Sequence, residues 1–258
     1  MEDEPKILYK YRDWNNNFHK RLLTNPSIYF APPSSFEDPL DCKIPTRYDL
    51  FTQDEIFGIY VRESIKKNPE FNMQQHLSWA YNWYLHSPMH DPKFIEEIEA
   101  ETTEDFDQRF GILSLTADPL NFRMWIKYSN RLEGFCVGYK SSKLFDFLGG
   151  GGSVEYVKTL PIIKPFEDFE SLHAKLVFHK LESWVFEKEY RTHKMWQTKA
   201  GHNERNMSID KDCIINVILG PKMPEIHKKE ISELIGRTLP HVQIIETKCE
   251  QSKIKFCT

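Results

Sequence analysis

No apolar run in the 258 residues approaches the ~18 that a membrane-spanning helix needs, so no membrane partner is expected. The opening stretch, MEDEPKILYKYR, is acidic and then strand-like, without the basic and apolar regions of a secretion signal. Cysteine is sparse: Cys42, Cys136, Cys213, Cys249 and Cys257 are odd in number and never fall in C-x-x-C spacing. A disulfide framework and a zinc knuckle are both disfavoured, and reduced thiols in a cytoplasmic protein fit better. None of the ten histidines lies in an H-E-x-x-H pattern, and Ser87-Pro88 breaks the helix that would align His86 with His90. No metal is therefore expected. A basic excess is also missing: 34 Lys and Arg face 38 Asp and Glu, for a net charge of −4, which removes the simplest argument for a nucleic-acid binder. The glycine run Gly149–Gly152 lacks the strand-to-helix context of a phosphate loop. With no linker-like stretch and no internal repeat, residues 1–258 read as a single domain.

What the chain does have is rings. Aromatic residues make up 14% of it, which predicts a large, ring-rich core. Ile7 to Arg12 alternates as a first strand. Asp13 can cap a helix carrying Trp14, Phe18 and Leu22, and Ser27 to Ala31 reads as a second strand. Pro32 and Pro33 then open a loop through Phe36-Glu37-Asp38-Pro39-Leu40-Asp41, where acidic residues either bind a hydroxyl or cap a helix. Residues 52–109 read as an insertion of about three helices, separated at Pro69, Pro88 and Pro92 and opening on a Thr52/Glu55 capping box. Glu96 to Asp107 reads as a solvated acidic face. Beyond it, strands are expected at Phe110 to Leu115, Gly134 to Tyr139, Ser153 to Val157, Trp184 to Trp196, Cys213 to Leu219, Val242 to Glu246 and Lys253 to Phe256. Helices are expected at Asn121 to Tyr128, Glu167 to Leu181 and Pro224 to Arg237. The run Cys213 to Leu219 (CIINVIL), apolar but for Asn216, predicts a central strand buried on both faces. The class is α+β, with a mixed, mostly antiparallel sheet.

Beside the Phe36 to Asp41 loop, three further stretches could carry chemistry. On the strand expected at Trp184 to Trp196, alternation puts Trp184, Phe186 and Tyr190 on one face and Glu187, Glu189 and Arg191 on the other. Carboxylates at i and i+2 repel, and an arginine at i+4 can hold one ionised; a solvent-facing polar stripe on an edge strand is the plainer alternative. Trp125 and Tyr128, three apart on a helix, either pack the core or form a wall for a flat ring. Lys10 and Arg12 project together from the first strand and can receive a phosphate or carboxylate, or else pair with Glu187, Glu189 or Asp38.

Taken in order, Leu8-Tyr9-Lys10-Tyr11-Arg12, Glu37-Asp38-Pro39, Leu113-Ser114-Leu115, Met124-Trp125 with Tyr128, Gly134-Phe135-Cys136, Glu187-Lys188-Glu189-Tyr190-Arg191 and Val217-Ile218-Leu219-Gly220 form a signature. It resembles a large bacterial family defined only as a domain of unknown function, over nearly the whole chain. Glu37 stands where that family usually has asparagine. A more distant likeness is to the ADP-ribosyltransferase superfamily, with Lys10 or Arg12, then Ser114 or Tyr128, then Glu189 in corresponding order. That likeness implies consumption of NAD as a substrate, in a toxin or phage-defence effector, with transfer to a protein or nucleic-acid acceptor. Glu189 would be the catalytic carboxylate and Glu187 its alternative. Tyr128 or Trp125 would stack on nicotinamide, Lys10 or Arg12 would hold the pyrophosphate, and Arg191 would keep Glu189 ionised. Two rivals stand beside it: a non-catalytic binding module, and a metal-dependent nuclease using Asp38, Asp41, Glu187 and Glu189. All the enzyme readings require residues far apart in sequence to meet in one cleft.

Overall fold

The computed structural model describes residues 4–257. The chain runs β1 (Ile7–Arg12), α1 (Asn17–Thr24), β2 (Ser27–Tyr29), α2 (Gln53–Lys67), α3 (Met73–Leu85), α4 (Pro92–Arg109), β3 (Phe110–Thr116), α5 (Phe122–Tyr128), β4 (Phe135–Lys140) and α6 (Ser141–Leu148). It continues with β5 (Gly152–Ser153), β6 (Glu155–Val157), α7 (Phe169–Phe178), β7 (His179–Leu181), β8 (Glu189–Met195), α8 (His202–Arg205), β9 (Asn206–Ser208), β10 (Ile214–Leu219), α9 (Glu225–Thr238), β11 (Gln243–Glu250) and β12 (Lys253–Phe256). The fold is α+β. An eight-stranded sheet has the order β12-β11-β10-β4-β1-β3-β8-β5, antiparallel except where β10 and β11 run parallel across α9.

The centre of the sheet follows from its apolar runs. β4 and β10 lie side by side, and their alternate residues feed two cores. Phe135, Val137, Tyr139, Val217 and Leu219 meet Leu22 and Leu23 of α1 and Ile231 and Ile235 of α9 on one face. Cys136 and Ile218 meet Tyr11, Met124, Trp125 and Ile254 on the other. The helical insertion forms where expected. Thr52 caps α2, with the Thr52 side chain and the Glu55 carboxylate exchanging reciprocal backbone bonds. α4 buries no residue, which fits a solvated acidic face.

Four local expectations need correction. The first helix is capped by Asn16, not Asp13; Trp14 lies ahead of it and Phe18 is 58% exposed. The stretch Ser153 to Val157 is two strands, because Val154 turns to donate to the Glu189 carbonyl and β6 pairs with β7 instead. The helix expected through Leu181 ends at Phe178, and His179 to Leu181 continue as strand β7. The strand expected from Trp184 begins only at Glu189, since Glu182–Glu187 wind into a 3-10 turn and Lys188 takes a positive φ of 44°.

The position of the candidate site is set by a split in the sheet. β1 pairs with β4 along all of Ile7–Arg12, but with β3 only at Tyr9↔Thr116. Nearer its start, β3 turns to Ala31 instead, with Ala31 and Ile112 exchanging both backbone bonds. The two strands therefore diverge, and the ammonium of Lys10 reaches across to the Ser114 carbonyl.

Candidate functional site

A cavity of about 370 Å³ opens at this split. Its walls bring together Lys10 and Arg12 of β1, Ser114 of β3, Tyr128 of α5, and Glu187 and Glu189 on either side of Lys188. Asp38, Asp41, Phe36, His19, Lys180 and Trp184 line it as well.

The acidic wall is built around Lys180 of β7. Its Nζ lies 2.6 Å from Glu187 Oε2, 3.0 Å from Asp41 Oδ2 and 3.2 Å from Glu189 Oε2. Behind it Arg191, with no exposed surface, donates from Nε to Glu189 Oε1 at 3.0 Å. Its Nη2 donates to Glu189 Oε2 at 2.9 Å and to Asp41 Oδ2 at 2.8 Å, and its Nη1 donates to the Val177 carbonyl at 2.8 Å. Three buried carboxylates thus share two buried cations. Burial pushes the Glu189 carboxyl upward, but the charges of Arg191 and Lys180 and hydrogen bonds from Arg191 and Ser114 outweigh it and hold it down at about 2. Burial works against the Lys180 ammonium as well, and Glu189, Asp41 and Glu187 more than reverse that.

The 3-10 turn that presents Glu187 is pinned at three points. Thr116 Oγ1 donates to the Glu187 carbonyl at 2.5 Å, Ala117 N to the Lys188 carbonyl at 3.1 Å, and Asn121 Nδ2 to the Phe186 carbonyl at 2.6 Å. Tyr128 donates its hydroxyl to Glu187 Oε1 at 2.5 Å. Burial and then the Glu187 charge push the phenol's pKa up, so it stays a donor.

The opposite wall is cationic. Among the described residues neither Lys10 nor Arg12 has a carboxylate oxygen within 4.0 Å, so the expected pairing with Glu187, Glu189 or Asp38 is not made. Burial, then the Arg12 charge, lowers Lys10 to about 7 even though Glu189 and Glu187 pull the other way. Burial also lowers Arg12. His19 stands beside them, lowered to about 4 by burial and the Arg12 charge. Its Nδ1 lies 3.1 Å from the Asp13 backbone nitrogen and 3.2 Å from the Asp13 carbonyl oxygen.

Six of the eight residues proposed from sequence therefore line the cavity: Lys10, Arg12, Ser114, Tyr128, Glu187 and Glu189. Arg191 lies behind it as the support of Glu189. Trp125 is corrected: it is fully buried, edge-on to Tyr11 at 5.0 Å, with its indole N–H on the Pro119 carbonyl at 2.8 Å. Only the core-packing alternative survives for it. The solvent-facing stripe is corrected too, since Glu187, Glu189 and Arg191 are buried and β8 lies one strand in from the edge. Asp38 and Asp41 cap no helix: Asp38 Oδ1 accepts from Leu40 N at 3.0 Å, and Asp41 serves the two buried cations.

Lys180 and His19 were missed by sequence reasoning. A lysine near the end of a helix-like stretch looks ordinary, and the only signal was the change from helical to alternating pattern after Phe178. Lys180 also bears on the nuclease alternative, because its ammonium fills the space between Asp41, Glu187 and Glu189 that a divalent cation would need. Comparison of the chain with family models, curated proteins and solved structures finds no match in any of the three.

Proposed function

We propose that the cavity binds NAD and that the chain cleaves its nicotinamide–ribose bond, releasing ADP-ribose to water or to a protein or nucleic-acid acceptor. One observation carries this reading. Two basic side chains with no carboxylate oxygen within 4.0 Å among the described residues face a pair of buried carboxylates across a single cavity. The cations suit a pyrophosphate. The carboxylates suit a ribose that becomes positively charged as its bond to nitrogen breaks.

Counting lone pairs assigns the roles. Glu189 accepts two bonds from Arg191 and one from Lys180, which leaves about one of the roughly four acceptor positions a carboxylate has. Glu187 accepts only from Tyr128 and Lys180 among the described residues. In this proposal Glu187 takes the ribose hydroxyl and Glu189 positions it through Lys180. Nicotinamide leaves with the electron pair of the C1–N bond. The acceptor's oxygen or nitrogen forms the new bond to C1 and gives up its proton. Trp184 and Phe36 supply the aromatic lining in place of Trp125, with Lys127 and Lys180 at 4.2 and 4.8 Å from the Trp184 ring centre. A reducing, cytoplasmic setting suits the five free thiols, and among the described residues no helix is long and apolar enough to cross a membrane.

The test is nicotinamide release from NAD by the purified chain, with and without protein and nucleic-acid acceptors. Wild type should release it, and Glu187→Gln should lower the rate by about 100-fold or more. Absence of release under every acceptor condition, or an unimpaired Glu187→Gln, overturns the reading. A non-catalytic binding module is the second reading, favoured by the three bonds that tie Glu189 to buried cations. It expects ligand binding without turnover.

A further inference from the structure

A second cavity of about 300 Å³ lies on the other side of the cationic wall. The two cavities share Lys10, Arg12, His19, Phe36 and Ser114. At its far end the second holds a small group of rings. The His202 imidazole lies 5.1 Å from the Phe18 ring and 5.0 Å from the Tyr29 ring, centre to centre. β2 and β9 pair at Tyr29↔Asn206, and this pairing holds Tyr29 close to α8, which carries His202. Phe18 is 58% exposed although it sits beside the cavity, so a flat apolar face is available there.

Each cavity is near the lower end of the ~300–1,000 Å³ usual for small-molecule sites, enough for one nucleoside. Lys10 and Arg12 lie between them and the rings lie beyond, with the Arg21 guanidinium 5.2 Å from the Phe18 ring centre. A ligand that matches has its negative charge in the middle and a ring system at either end. We infer that the second cavity seats a second nucleoside, so that the substrate is a dinucleotide laid across Lys10 and Arg12, with its far base on the Phe18, Tyr29 and His202 rings. This rests on the reading of the first cavity as the nicotinamide–ribose end. It adds a requirement: a mononucleotide fills one chamber and leaves the ring group unused. His19 belongs to the same design. Neutral at physiological pH, it lines both chambers beside Lys10 and Arg12 and offers a polar imidazole edge without adding a positive charge.

The experiment is calorimetric titration of wild type, Tyr29→Ala and His202→Ala with NAD, ADP-ribose and nicotinamide mononucleotide, with thermal melts to show that the variants are folded and Tyr29→Phe as the ring-retaining control. Wild type should bind NAD and ADP-ribose about tenfold or more tightly than the mononucleotide. Each alanine variant should lose about tenfold for NAD and ADP-ribose, the two ligands that carry adenosine, and nothing for the mononucleotide, as expected for one lost stacking partner. Tyr29→Phe should restore binding. Equal affinity for all three ligands, or alanine variants that weaken the mononucleotide as much as NAD, overturns the second seat. The two proposals fail separately. ADP-ribose binding that is sensitive to His202→Ala, without nicotinamide release, removes the cleavage reading and keeps the second seat. Cleavage of NAD that is indifferent to both alanine variants does the reverse.

Discussion

Lys180 Nζ lies 2.6 Å from Glu187 Oε2, the shortest of three contacts this ammonium makes with buried carboxylates. The lysine therefore joins β7, the 3-10 turn before β8 and the loop after Pro39. Removing one partner of a buried ion pair leaves the others charged and without water. Lys180→Met should cost about 3–5 kcal/mol of unfolding free energy, read from urea denaturation near neutral pH. A loss under about 1 kcal/mol, the level of a surface pair, would show that the cluster is solvated in solution.

Acid should dissolve the same cluster. Glu189 has its folded pKa held at about 2, below the ordinary 4.5, chiefly because Arg191 and Lys180 outweigh the cost of burial. A depressed carboxyl contributes stability that is full above its unfolded value and is lost as pH falls toward the folded one. The stability difference between wild type and Glu189→Gln should be greatest above pH ~5 and shrink toward pH ~2. Denaturation of both proteins over that range checks it, and a constant difference would contradict the ion-paired state.

How much of this was open to reading in the sequence depends on the kind of signal. The central strand showed itself because Ile214 to Leu219 is apolar at every position but Asn216, and the insertion because Thr52 and Glu55 stand at capping-box spacing. The first-strand cations and the late carboxylates could be picked out by type and order. Their burial could not, because it depends on Lys180 and Asp41, which come from segments about 140 residues apart. Nor could the geometry at Glu187. Trp184 to Arg191 alternates well enough for a strand, and nothing local announces that Lys188 adopts a left-handed conformation and turns the chain there. Pattern reports which face a residue prefers. It does not report where two strands part, and the cavity lies where β1 leaves β3.

Trp125 separates folding from binding. It is wholly buried beside Tyr11 and Met124, away from the cavity that its helix neighbour Tyr128 lines. Trp125→Ala should destabilise by about 3–5 kcal/mol while leaving the preference among nucleotide ligands unchanged wherever the protein remains folded. A change in ligand preference at matched folded fraction would return Trp125 to the site.

Gly134 fixes the end of the cationic strand. A Cβ placed there would stand 2.1 Å from the Arg12 carbonyl oxygen and 2.9 Å from that of Ser129, both backbone atoms that cannot rotate away. Gly134→Ala should therefore force β1 away from β4 at Arg12. The expected result is a loss of about 1–3 kcal/mol together with weaker binding of phosphate-bearing ligands. Unchanged stability would mean that the strands are not this close.

Lys10 sets a pH dependence that runs opposite to that of Glu189. Its folded pKa is lowered to about 7 from 10.5, first by burial and then by Arg12. Between those values the unfolded chain holds more protons than the folded one, so stability without ligand should rise as pH climbs from about 7 toward about 10. Ligand binding should go the other way. An anion requires the ammonium, so affinity for ADP-ribose should be level below pH ~7 and weaken above it, by at most about tenfold per unit for one proton. Lys10→Arg keeps the charge at every accessible pH and should flatten the profile without abolishing binding. Titrations of both proteins from about pH 6 to 9 decide the matter. If wild type shows no dependence in that range, Lys10 is already neutral or already paired, and the anion is held by Arg12 without it.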